Sequence, residues 1–182
     1  LQQAFIHRSY INESTGSNLS HNERLEFLGD AVLELIVTDY LYNKYPDRDE
    51  GELTAYRSAL VNAVIIGEVA HELGMNEYLL LSKGEAKDAG RARSYILANT
   101  YEAYVGSVYL DQGYDVAQKF IAKTLFGKID VIVAKELWRD AKSLVQEKAQ
   151  EYLNVTPSYK VLHEAGPDHD KHFTIGVFFA DE

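Results

Sequence analysis

Apolar residues recur at helical spacing over most of the first two thirds of the chain. Leu25, Leu28, Val32, Leu35, Ile36 and Leu41 predict a helix over 22–42, with Asn22 or Ser20 as its N-cap and Pro46 as its stop. Leu53, Tyr56, Leu60, Val64 and Val69 predict a second helix over 53–73, ended by Gly74. The stretch 82–90 (SKGEAKDAG) is polar and glycine-punctuated and reads as a loop. Helices are expected again over 94–110, closed by Asp111-Gln112-Gly113, and over 115–125. The period then changes. After a helical pattern over 140–153 and a break at 154–157 come two strand-like runs, 159–162 and 173–179, around a turn at 166–168. The expected architecture is an all-α domain over 1–128, a linker over 129–139 and a partial α-β-β module over 140–182. Two strands and one helix make a poor core. The opening residues Leu1-Gln2-Gln3-Ala4 read as the interior of a helix without an initiator Met, so a truncated N-terminus is expected.

Composition narrows the chemistry. The chain has no cysteine, which excludes disulfides, thiolate zinc sites and cysteine nucleophiles and leaves carboxylates, histidines and hydroxyls. No apolar run approaches the ~20 residues that span a bilayer, so no membrane role is expected. A formal net charge of −10 argues against non-specific binding of polyanions, which leans on Lys/Arg contacts to phosphates. An enzyme whose acids are metal ligands escapes that objection if its polyanion contacts are local.

Glu23, Glu26 and Asp30 stand at i, i+3 and i+7 and share one helix face. Spacing alone allows two readings: a solvated acidic face with Arg24 and other cations nearby, or a face that collects a hard cation through oxygen ligands. A second helix offers Asn99 and Glu102, one turn apart among Ile96, Leu97, Tyr101, Val105 and Val108. A carboxylate there needs a partner, and either a metal or an arginine such as Arg57 would serve. Glu68-Val69-Ala70-His71 is a single Glu-x-x-His unit, whereas carboxylate-bridged di-iron bundles use two, so a redox di-metal role is disfavoured. His7 and His21 read as hydrogen-bonding or capping residues. His163, His169 and His172 cluster on the tail.

The run HNERLEFLGDAVLEL (21–35) closely resembles the signature of the ribonuclease III family. Phe5-Ile6-His7-Arg8-Ser9-Tyr10, Glu50-Gly51-Glu52-Leu53-Thr54 and Ile96-Leu97-Ala98-Asn99-Thr100-Tyr101-Glu102-Ala103, with Gly106 and Tyr109-Leu110-Asp111, match in the family's order. The tail resembles the start of a double-stranded-RNA-binding domain, through Lys142-Ser143-Leu144-Val145-Gln146-Glu147, Pro157-Ser158-Tyr159 and Gly166-Pro167-Asp168-His169. Its third strand and last helix, whose lysines clamp phosphates, have no counterpart in 140–182. That stretch holds four Lys, no Arg and eight Asp/Glu.

The resemblance implies a metal-dependent endoribonuclease that cleaves double-stranded RNA to 5′-phosphate and 3′-hydroxyl ends in rRNA or mRNA maturation. It implies a cytoplasmic homodimer using Mg²⁺, with Mn²⁺ as a substitute. Glu26 and Glu102 match metal ligands, and Asp30 matches the residue that positions water or ligates through water; Asp30 and Glu102 are the catalytic pair. Glu23 and Glu50 match acids lining the cleft. Phe27, ordinary core by composition, matches the residue that plugs a pocket on a second subunit. Gln146, Glu147, Pro167 and His169 match RNA contacts. Asn99 departs from the family's usual Asp: it keeps a carbonyl oxygen for the metal but brings no charge. A tolerated variant, an inactivating change or a non-cleaving RNA-binding relative all fit Asn99. A retained activity that demands more metal is the expectation.

Overall fold

The computed structural model describes residues 1–13, 19–87, 90–139, 141–166 and 171–179. In chain order these form α1 (Arg8–Glu13), α2 (Glu23–Lys44), α3 (Glu50–Leu60), α4 (Ala63–Glu72), α5 (Arg91–Gln112), α6 (Tyr114–Thr124), α7 (Gly127–Ala134), α8 (Ala141–Leu153), β1 (Ser158–Ala165) and β2 (His172–Phe178). They divide into two units, Leu1–Trp138 and Arg139–Glu182.

In the first unit α2 and α5 make the most extensive helix pair. Val32, Leu33, Ile36, Val37 and Leu41 from α2 share one core with Leu97, Ala98, Tyr101 and Val105 from α5. Burying each large aliphatic side chain in that core stabilises the fold by about 1.5–3 kcal/mol. The other helices close around this pair, and Tyr101 is held by a hydroxyl contact of 2.8 Å with Thr124 of α6.

Asn22 occupies the N-cap position of α2 but makes no capping bond with its side chain. Its Nδ2 donates instead to the carbonyl of Ala4 at 3.0 Å, and its N–H donates to Ile6 at 2.9 Å. This buried amide stitches the N-terminal segment to the start of the acidic helix. That segment is a 3₁₀ turn over Gln2–Phe5 followed by an isolated parallel bridge between Ile6 and Leu80, not the interior of an α-helix.

Two other expectations are corrected. The helix expected over 53–73 is two helices. Asn62 breaks it by accepting the N–H groups of Val64 and Ile65 while donating to the carbonyl of Ala59. An Asn cap inside an apolar periodic run leaves the periodicity intact, so the break is not visible in the pattern. The linker expected over 129–139 is largely structured. Ile129 and Ile132 of α7 are buried, and Trp138 packs edge-on against Tyr56 with ring centroids 5.0 Å apart.

In the second unit β1 and β2 pair antiparallel from Ser158↔Phe178 to Ala165↔His172, with a bulge between Val161 and His163. Val161, Leu162, Phe173 and Ile175 remain more than half exposed, and Ala149 is the hydrophobic residue of this unit that is buried among those described. Pro167 and His169 lie outside the described residues.

Candidate metal centre at a helix crossing

Two glycines set the geometry. A Cβ on Gly29 of α2 would overlap the carbonyl oxygen of Glu102, lying 2.6 Å from its carbonyl carbon and 2.8 Å from the nitrogen of Gly106. A Cβ on Gly106 of α5 would in turn strike the carbonyl of Leu25 and lie 3.0 Å from the nitrogen of Gly29. The two backbones therefore meet without side chains between them. Asp30 follows Gly29 directly and Glu26 precedes it by one turn, while Glu102 is the α5 residue whose backbone Gly29 touches. Close backbone approach brings three carboxylates from two helices into one electrostatic neighbourhood.

That neighbourhood disfavours the charged form of the acids. Burial first, then the charges of Asp30, Glu26 and Glu34, pushes the Glu102 carboxyl up to about 8. Burial, then Glu23 and Asp30, raises Glu26 above the usual carboxylate range. Among the described residues, none of Glu26, Asp30 and Glu102 has a cation or a hydrogen-bond donor as a partner. Arg24, on the same helix, makes no ion pair with them among the described residues. Arg57 pairs with Glu34, not with Glu102. The solvated-face reading thus holds for Glu23, which Arg8 neutralises, and lacks its cations at Glu26 and Asp30.

The donor set fits a hard divalent cation: carboxylate oxygens with no competing partner, two of them, on Glu26 and Glu102, partly buried. Among the described residues no three acids or histidines already form a ready-made cluster for a metal. Mg²⁺ does not require one, because it keeps several waters and takes one or two carboxylates. Asn99 is half-buried one turn before Glu102 and its side chain makes no hydrogen bond among the described residues, so its amide oxygen Oδ1 is also free to bind.

The remaining residues fall around this centre. Glu23 is held by Arg8, with His21 Nδ1 at 3.8 Å. Glu50, at the start of α3, lines a groove of about 460 Å³ with Thr38, Tyr42, Arg48 and Arg57 and lies outside the group of mutually interacting acids. Glu34 is the acid that the sequence reading passed over. Its signal was present, since it continues the face of Glu23, Glu26 and Asp30 by one more turn. Phe27 points to solvent, 82 % exposed, and shares a stripe of α2 with Leu35 at 58 % and Tyr42 at 70 %. Gln146 and Glu147 are exposed on α8 and border a shallow groove with Ser143, Gln150 and Thr156. His7 is engaged with Ser9 at 2.8 Å. Glu68 and His71 line different cavities.

Comparison with known proteins identifies the family. The family model described as Ribonuclease-III-like matches residues 1–129. Ribonuclease 3 of Protochlamydia amoebophila is 47 % identical over 178 residues, spanning 98 % of this chain and 73 % of that protein. Ribonuclease 3 of Enterococcus faecalis is 45 % identical over 183 residues, spanning 100 % of this chain and 79 % of the relative. Among solved structures, the ribonuclease III nuclease domain of Campylobacter jejuni, described with flexibility in a region involved in dimer formation, superposes with a TM-score of 0.60 at 35 % identity. It covers 68 % of this chain and 85 % of its own. Dicer of Pichia stipitis shares the fold at a TM-score of 0.53 and 24 % identity, covering 100 % of this chain and 79 % of its own. The chain belongs to the ribonuclease III family.

Proposed function

We infer that this protein is an endoribonuclease that hydrolyses the backbone of double-stranded RNA at the α2–α5 crossing. The observation that carries the reading is the set of uncompensated carboxylates, Glu26, Asp30 and Glu102, held together by the Gly29–Gly106 contact. Glu26 and Glu102 would hold the divalent cation, Mg²⁺ in the cell with Mn²⁺ as a substitute, and Asn99 adds a neutral carbonyl oxygen. Bound cations supply charge stabilisation at the phosphoryl oxygens and activation of water at neutral pH. Asp30 orients the attacking water through its carboxylate. Glu102, protonated at neutral pH without metal, must lose that proton before it can ligate.

The exposed stripe Phe27, Leu35 and Tyr42 supports a homodimer, in which Phe27 enters an apolar pocket of a second copy. Each copy then cuts one strand, leaving 5′-phosphate and 3′-hydroxyl ends. Glu23 and Glu50 border the RNA cleft, and the second unit, a partial double-stranded-RNA-binding module, contributes contacts through Gln146, Glu147, Pro167 and His169. The physiological setting is cytoplasmic rRNA or mRNA maturation; no single described helix is long and apolar enough to cross a membrane. The non-cleaving alternative raised by Asn99 is not favoured, because the three carboxylates are intact.

The test is incubation of a long duplex RNA with the protein and Mg²⁺ or Mn²⁺. Short duplex products with 3′ overhangs are expected from the wild type and none from Glu102→Gln. Intact duplex at high Mn²⁺ with the wild type would overturn the assignment.

A further inference from the structure

Four acids follow one another along α2 at 23, 26, 30 and 34, and the structure partners them unequally. Each outer acid is held by an arginine from a neighbouring helix: Glu23 by Arg8 of α1, and Glu34 by Arg57 of α3 with Nε 2.9 Å from Oε2. A second donor of Arg57 reaches Thr38 Oγ1 at 3.0 Å, so the guanidinium is fixed at two points on α2. The inner acids, Glu26 and Asp30, have no such partner among the described residues, and neither does Glu102. Exposed ion pairs add only about 0–1 kcal/mol to stability, so these arginines matter more for where charge sits than for holding the fold.

We propose that Arg57 is a positioning residue that holds Glu34 out of the metal centre, confining the cation-binding charge to Glu26, Asp30 and Glu102. The inference rests on the metal-centre reading above. Glu34 lies one helical turn beyond Asp30 and shares its face, and its charge reaches Glu102. Released, its flexible carboxylate can add an oxygen to a hard cation. That extra ligand would tighten metal binding while occupying a coordination position that water or a phosphate oxygen needs. The planar guanidinium satisfies Glu34 and Thr38 together through two separate donors, whereas a lysine is a single point charge.

The test uses the full chain, with Mn²⁺ affinity read by calorimetry and duplex cleavage read as kcat and KM. Arg57→Ala is expected to bind Mn²⁺ several-fold tighter than wild type while kcat falls. Adding Glu34→Gln to it should return the affinity to within about twofold of wild type, and Arg57→Lys should fall between. Glu34→Gln alone, a mild change at a half-exposed position, should stay within about threefold of wild-type affinity. Unchanged or weaker Mn²⁺ binding by Arg57→Ala overturns the proposal. So does a loss of about tenfold in Glu34→Gln, which would make Glu34 itself a ligand; this arm stands even if Arg57→Ala does not fold. Failure of the wild type to bind Mn²⁺, or wild-type binding by Glu102→Gln, would instead overturn the metal centre.

Discussion

Replacing Gly29 by Ala adds one methyl group to the point where α2 and α5 touch, and its consequences separate packing from catalysis. The new Cβ would sit 2.6 Å from the Glu102 carbonyl carbon and overlap the attached oxygen. Both obstacles are backbone, so no side-chain rotation relieves them, and the helices must part by more than about 1 Å to restore ordinary packing. Alanine is favoured over glycine inside a helix by about 1 kcal/mol. Overpacking a rigid contact costs about 1–3 kcal/mol, so the clash should win and the midpoint of thermal unfolding should fall by roughly 2–8 °C. The effect on turnover should be larger in proportion. Parting the helices moves Glu102 relative to Glu26 and Asp30, and a misplacement of about 1 Å can cost on the order of 100-fold in rate. Gly127→Ala is the control: a Cβ there meets nothing within 4 Å, so stability and cleavage should hold or improve. Differential scanning calorimetry and single-turnover cleavage of a duplex RNA measure both quantities. A Gly29→Ala protein as stable as wild type and within about threefold of its rate would refute the claim that this contact builds the site.

The raised Glu102 carboxyl yields a pH prediction of definite sign. Between its ordinary value of 4.5 and about 8, the folded metal-free protein holds a proton that the unfolded chain has lost. Stability of the metal-free protein should therefore fall as pH rises through that window, by roughly 2–4 kcal/mol after allowance for solvent screening. Glu102→Gln should abolish cleavage yet flatten this decline; an equal decline in both proteins would rule Glu102 out as its source. Mn²⁺ binding at pH 7 should release close to one proton, and above pH 9 almost none, as read by calorimetry in buffers of different ionisation enthalpy. Asn99→Asp should lower the Mg²⁺ concentration for half-maximal cleavage; no gain would show that the site does not use position 99. Phe27→Ala should weaken the dimer in sedimentation velocity, because the side chain, 82 % exposed on the single chain, has little packing to lose except across the interface; an unchanged dimer would remove Phe27 from the interface.

Which residues could share a face was legible in the order of residues along the chain. Helical period alone placed Glu23, Glu26 and Asp30 together, and the run HNERLEFLGDAVLEL named the family before any coordinates. It also marked Gly74 and Gly113 as helix stops, and both adopt positive φ, at 71° and 82°. Burial of particular apolar positions was less legible. Leu35 and Val64 fit the helical period yet lie exposed, because periodicity assigns a residue to a face but not what covers that face. How the acids meet depends on the packing of one helix against another. The closeness of α2 to α5 depends on Gly29 and Gly106, seventy-seven positions apart in sequence, and no local pattern pairs them. Long-range ion pairs followed the same rule: Arg57, a plausible partner for Glu102 on paper, chose Glu34 because α3 packs against α2 and brings Arg57 over Glu34 and Thr38. Local physics writes the helices and the charge along them. Which charges are left without a partner, and so available to a metal, is settled only when the helices pack.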